Sequence, residues 1–244
     1  MIVGILGVVL FFGTWTIVSL SGIVPALFLP SPIAVVARLY QMFVTEGYAV
    51  DILVSSGRVM AGFGLAAALA VPLGLLIGNI SFFRALLEPL FGAARYLPAT
   101  AFIPLLIIWL GLDESQKVSV IFIGTFFPLV LMIADASSSV SRDLVNSGYT
   151  LGASNRQILF RVLLPGALPA IFDQLRITVG IAWTYLIVAE LVGANRGIGI
   201  SILSAQRFLL TDAVIAGIVT VGILGVVTDV LFRLLHKRLF HYIR

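Results

Sequence analysis

The sequence predicts an all-α, polytopic membrane protein, and three observations carry that prediction. Hydrophobic residues make up 60% of the 244-residue chain and charged residues only 11%, far from the roughly 25% charged share of soluble domains. The apolar residues gather in six runs long enough to cross a bilayer, a task that takes about 20 residues per helix. No run alternates strictly between apolar and polar, and a backbone in lipid has to satisfy its own hydrogen bonds, so helices rather than strands are expected. Six spans and their connections occupy residues 1–244 as a single transmembrane domain, with no room for a separate globular one.

The runs lie near residues 2–22, 56–79, 86–110, 117–135, 165–193 and 212–235. The first lacks a charged leading region and an A-x-A cleavage site, and is read as a retained helix rather than a signal peptide. After it, Leu29-Pro30-Ser31-Pro32 forms a rigid turn, with Pro32 in the first turn of an amphipathic interfacial helix covering Val35 to Val44. The second run is rich in small residues, Gly57, Gly62, Gly64, Gly74 and Gly78, which let helices approach closely in lipid. Prolines inside the runs (Pro72, Pro98, Pro104, Pro128, Pro169) predict kinks or breaks, and Pro98 after Arg95 and Tyr96 points to a broken third span.

Charge placement sets orientation. With both termini cytoplasmic, Arg84, Arg142, Arg156, Arg161 and the basic tail lie inside, and Arg38, Arg58, Lys117, Arg196 and Arg207 outside, an inside excess of the expected sign. These basic residues are a topology signal and not a nucleic-acid footprint. The chain has no cysteine, which removes disulfides and thiolate chemistry. His236 and His241 sit in the basic tail without an apparent acidic or metal-ligand cluster, so no metal site and no catalytic residues are expected. The glycine-rich segment from Gly193 to Ile200 follows no strand and has no Walker lysine, which argues against a nucleotide site.

The longest polar interruption is 143–165, DLVNSGYTLGASNRQILFRVLLP. Leu144, Val145, Leu151, Ile158, Leu159 and Val162 recur at helical spacing, with Gly152 and Ala153 at a turn between two short helices. An amphipathic segment of this kind either docks a partner protein or anchors at the interface. Its pattern resembles the EAA loop of ABC importer permeases: E-A-A, three residues, glycine, nine residues, then I-x-L-P. Asn146-Ser147-Gly148 stand in the E-A-A place, Gly152 holds the glycine, and Val162, Leu164 and Pro165 close the motif. The acidic residue and both alanines are replaced, so an ionic contact through that carboxylate does not carry over.

The resemblance continues over nearly the whole chain to the nitrate/sulfonate/taurine/bicarbonate group of these permeases. Its pieces include Gly57-Arg58-Val59, Pro72-Leu73-Gly74, Ile103-Pro104-Leu105, Trp109-Leu110-Gly111, Thr150-Leu151-Gly152-Ala153-Ser154, Ala189-Glu190-Leu191 and Gly197-Ile198-Gly199. It implies the type I importer permease fold in a bacterial inner membrane, with 143–165 as the cytoplasmic coupling loop. The implied partners are a second permease copy, two cytoplasmic ATPases that hold the ATP and Mg, and an extracytoplasmic solute-binding protein. The chain itself would bind no cofactor and hydrolyse nothing. The implied solute is a small anion such as a sulfonate, nitrate or bicarbonate. The stretch Phe122 to Asp135 also resembles members serving urea- or guanidine-type solutes, which remains an alternative beside an ATP-independent channel.

Ionisable groups inside spans are functional candidates because lipid makes them costly. Asp173 with Arg176 and Asp229 with Arg233 have the spacing of local ion pairs. Arg95, beside Tyr96, either lies near a translocation path or reaches back to the cytoplasmic interface. Glu190 either lines that path or braces an outer gate against residues 195–200, and Trp183 and Tyr185 before it fit packing better than recognition.

Overall fold

The structure is a computed structural model that describes residues 2–241. Every apolar run becomes helical: α1 (Ile2–Leu20), α2 (Pro32–Thr45), α3 (Tyr48–Asn79), α4 (Ser81–Ala94), α5 (Ile103–Leu110), α6 (Glu114–Ser138), α7 (Arg142–Thr150), α8 (Asn155–Ile158), α9 (Leu164–Glu190), α10 (Ile198–Arg207) and α11 (Thr211–Leu239). A 3₁₀ turn (Ala99–Phe102) precedes α5, and a π-bulge (Leu159–Leu163) joins α8 to α9.

Four helical segments are long and apolar enough to cross a membrane: α3, α6, α11 and the continuous stretch 155–190. The expected third span is not straight. α4 and the 99–110 segment are apolar enough only when taken together and meet at an angle of 82°, the shape of a broken span or a re-entrant loop. Pro98 explains the break, because it supplies no amide hydrogen and holds the residue before it out of the helical region. α1 is a shorter apolar helix, so among the described residues four helical segments meet the length and hydropathy requirement, or five with the bent pair counted as one span, where about six runs were expected.

By their contacts the residues fall into two units. The first combines residues up to 56 with 190–224. In it, Ser31 caps α2 by accepting from the Ala34 amide at 3.2 Å, with Pro32 opening the helix as expected. The Trp15 indole donates to the Pro30 carbonyl at 3.0 Å and ties α1 to that proline turn. α10 packs close to α11 because Gly217 leaves room for the Ile202 side chain.

The second unit combines 57–189 with residues from 225 onward. Its core is a seam between α3 and α6. Gly62, Ala66, Ala70, Gly74 and Gly78 recur every fourth residue on one buried face of α3. A Cβ on Gly62 would fall 2.8 Å from Ile121, and one on Gly74 would fall 2.7 Å from Ile133. Gly57 and Gly64 face open space, so only three of the five glycines expected to mediate packing do so. Arg58 clamps the seam at one end: it is 4% exposed, and its Nε and Nη2 both reach Glu114 at 2.5 Å. That bidentate geometry is the stronger form of ion pair.

The expected local pairs form, Asp173 with Arg176 at 3.9 Å and Asp229 with Arg233. Arg176 also reaches Asp229 at 3.4 Å, which joins α9 to α11. His236 lies beside one carboxylate, Asp173, with Nε2 3.8 Å from it, because α11 carries the tail back along α9.

Candidate functional site

The segment between α6 and α9 folds as helix, turn, helix, and its sequence sets each junction. Ser141 accepts from the Asp143 amide at 3.2 Å and starts α7. At the other end the Gly152 amide donates to the Tyr149 carbonyl at 2.9 Å and the Ala153 amide to the Gly148 carbonyl at 3.1 Å. These two bonds form a Schellman turn, which requires a left-handed residue at its centre. Gly152, at φ +80°, supplies it. Two residues later a capping box starts α8: the Ser154 amide donates to Gln157 Oε1 at 2.8 Å, while Ser154 Oγ accepts from the Gln157 amide at 3.4 Å.

Gly148, the last residue of the E-A-A position, lies where a Cβ would collide with Ile158 Cδ1, so its lack of a side chain lets α7 fold onto α8. The Tyr149 hydroxyl and Asn155 Oδ1, 3.1 Å apart, lock the two arms together. Asn146 and Ser147 are exposed on α7, and Leu151 is 87% exposed at the apex of the turn. Leu164 and Pro165 are half-buried in the first turn of α9, after the π-bulge. The segment is thus a stiff, self-capped finger that presents an apolar tip.

Glu190 ends α9 and is fully buried. Its Oε1 accepts from Ser55 Oγ at 2.6 Å and its Oε2 from the Gly199 amide at 2.7 Å. Ser55 Oγ in turn accepts from the Ile198 amide at 2.9 Å, and Asp51 Oδ1 from the Gly197 amide at 3.1 Å. Three side chains from α3 and α9 therefore satisfy the amides that open α10, a need every helix N-terminus has. A Cβ on Gly197 would fall 2.5 Å from the Glu190 carboxylate, and Gly197 has φ +131°. Of the two readings of Glu190, bracing residues 195–200 is the one that matches these contacts.

Arg95 and Tyr96 come together at the break after α4: the guanidinium lies 4.9 Å from the ring centroid and donates to the hydroxyl at 2.9 Å. Both are exposed. Trp183 is not with them; it is 3% exposed and its Nε1 donates to Thr228 Oγ1 at 3.3 Å. Tyr185 packs its ring against Gly124 of α6. Sequence reasoning missed Ser55 and Asp51, whose partners lie 135 and 146 residues away, a separation over which no spacing rule reaches. Among the described residues no group of acidic or histidine side chains is placed to hold a metal ion.

Similar proteins agree with this architecture. The chain is 35% identical over 230 residues to the taurine transport system permease protein TauC of Escherichia coli (strain K12), covering 92% of this chain and 83% of that protein. It is 33% identical over 228 residues to the putative aliphatic sulfonates transport permease protein SsuC of Bacillus subtilis (strain 168), covering 93% and 83%. The fold matches a chain of the MetNI methionine ABC transporter with a TM-score of 0.63 at 18% identity, over 76% of this chain and 94% of that one. Residues 70–241 match the family described as binding-protein-dependent transport system inner membrane component. The chain belongs to that family, and is a membrane-embedded permease subunit of an ABC importer, a transport component rather than an enzyme.

Proposed function

We propose that this permease imports a small sulfonate, working as a homodimer on which two cytoplasmic ATPases and one extracytoplasmic binding protein assemble. ATP and Mg belong to the ATPases. The observation that carries the proposal is the finger at 142–158: two short helices held by a Schellman turn and a capping box, with apolar Leu151 at the exposed apex. A stiff element with an uncovered apolar tip suits a socket on a partner protein, since free apolar tips gain from burial. Asn146, Ser147, Gly148, Gly152 and Ala153 build that finger, and Leu164 and Pro165 connect it to α9. Both termini then face the cytoplasm with the finger.

ATP binding draws the two ATPases together, the fingers carry that movement into the spans, and the cavity between the two permeases opens outward to receive solute. At the other end of α9, Glu190 holds α10 to residues 51–55. The sulfonate class is supported by the named cargo of TauC and SsuC, of which this chain covers 83% each. The test is uptake into proteoliposomes containing the permease, its ATPases and its binding protein, with taurine as solute. ATP-dependent accumulation is expected. Accumulation without ATP, or of nitrate alone, contradicts the reading.

A further inference from the structure

A cavity of about 460 Å³ opens between α4 and α6, lined by Arg84, Glu88, Arg95 and Asp135. Arg84, Glu88, Gly92 and Arg95 recur at spacings of three and four along α4 and its C-cap, so they share one helical face, and Asp135 comes from α6. Arg84 is already engaged, donating to the carbonyls of Gly78 at 2.5 Å and Ile77 at 3.2 Å, with Glu88 4.0 Å away. Arg95 and Asp135 differ. Both are exposed to the cavity side, and among the described residues neither makes an ion pair. Among the described residues the Arg95 guanidinium is held by the ring and hydroxyl of Tyr96.

Asp135 lies in α6, a helix long and apolar enough to cross the membrane, and Arg95 caps α4 at the break; in such segments a charge is tolerated when it faces water or an opposite charge. A face carrying one unpaired cation and one unpaired anion is poorly matched to a simple anion, which the carboxylate repels. It is matched to a small solute that carries both signs.

We propose that Arg95 and Asp135 form a solute subsite on the permease itself, with Arg95 on the anionic end and Asp135 on the cationic end of a small zwitterion. The Tyr96 ring stiffens the guanidinium for that contact. The assignment rests on the sulfonate reading and narrows it to sulfonates that also bear an ammonium group.

The test is equilibrium binding of radiolabelled 2-aminoethanesulfonate to the purified permease–ATPase complex in nanodiscs, without binding protein. Ethanesulfonate, which lacks the ammonium, serves as competitor. Saturable binding is expected, weakened at least about tenfold in Arg95→Gln and in Asp135→Asn, the loss of one ion-pair contact of about 1.4 kcal/mol. Ethanesulfonate should compete poorly against wild type. Both variants should still co-purify with the ATPase and hydrolyse ATP, which separates a lost contact from a lost fold. Unchanged affinity in both variants, or no saturable binding while the reconstituted system still imports the solute, overturns the subsite alone. Failure of the reconstituted wild type to import any sulfonate overturns the underlying reading and the subsite with it.

Discussion

Single residues carry the most local demands of this fold, and Gly152 is the clearest. Its φ of +80° is required by the Schellman turn, yet a Cβ there would meet nothing within 4 Å. A substitution at this position therefore acts through backbone strain and not through a clash. Left-handed backbone costs a side-chain-bearing residue about 1–2 kcal/mol, enough to reduce the population of the native turn about tenfold. Gly152→Val should leave the spans folded and lower uptake per ATP hydrolysed by about that factor in proteoliposomes. A normal ratio would mean the turn does not transmit coupling. Gly152 was legible from its motif spacing alone. Glu190 was legible as a buried-charge candidate, but its partners were not: Ser55 and Asp51 are ordinary polar residues until the fold brings them to the start of α10. Arg58 likewise reads as an outside topology charge until Glu114, 56 residues on, closes over it.

At the level of elements, the sequence showed where the helices are better than how they meet. Apolar runs and prolines located the spans and the break at Pro98, because length and missing amide hydrogens act locally. The α3–α6 seam was only half visible. Glycines stood out, whereas Ala66 and Ala70, which complete the four-residue repeat and are fully buried, did not, since alanine is common on any helix. The seam makes a sharp prediction. Gly74→Leu forces a side chain into Ile133 and the Val130 carbonyl, and overpacking of this sort costs about 1–3 kcal/mol. A lower thermal midpoint is expected in detergent, measured beside Gly64→Leu, which faces open space and should be neutral. Equal midpoints for the two variants would mean the seam is not tightly packed. The 159–163 π-bulge had no sequence signal at all; it lets the finger and α9 form one continuous helical path of 36 residues, 155–190, and such bulges are frequent at functional sites.

For the molecule as a whole, composition and the finger together decide what the chain can be. A protein with 11% charged residues cannot live in water alone, and residues 142–158 form a self-capped segment after α6 whose exposed apolar tip calls for a use. Family membership names that use as transport driven by a partner. That partner is sought by purifying the tagged permease from mildly solubilised native membranes, with mass spectrometry of what comes with it. A stoichiometric ATPase bearing a Walker motif, lost when Leu151 is replaced by Asp, is the expected result. A permease that reproducibly comes down alone under the same mild conditions would contradict the account.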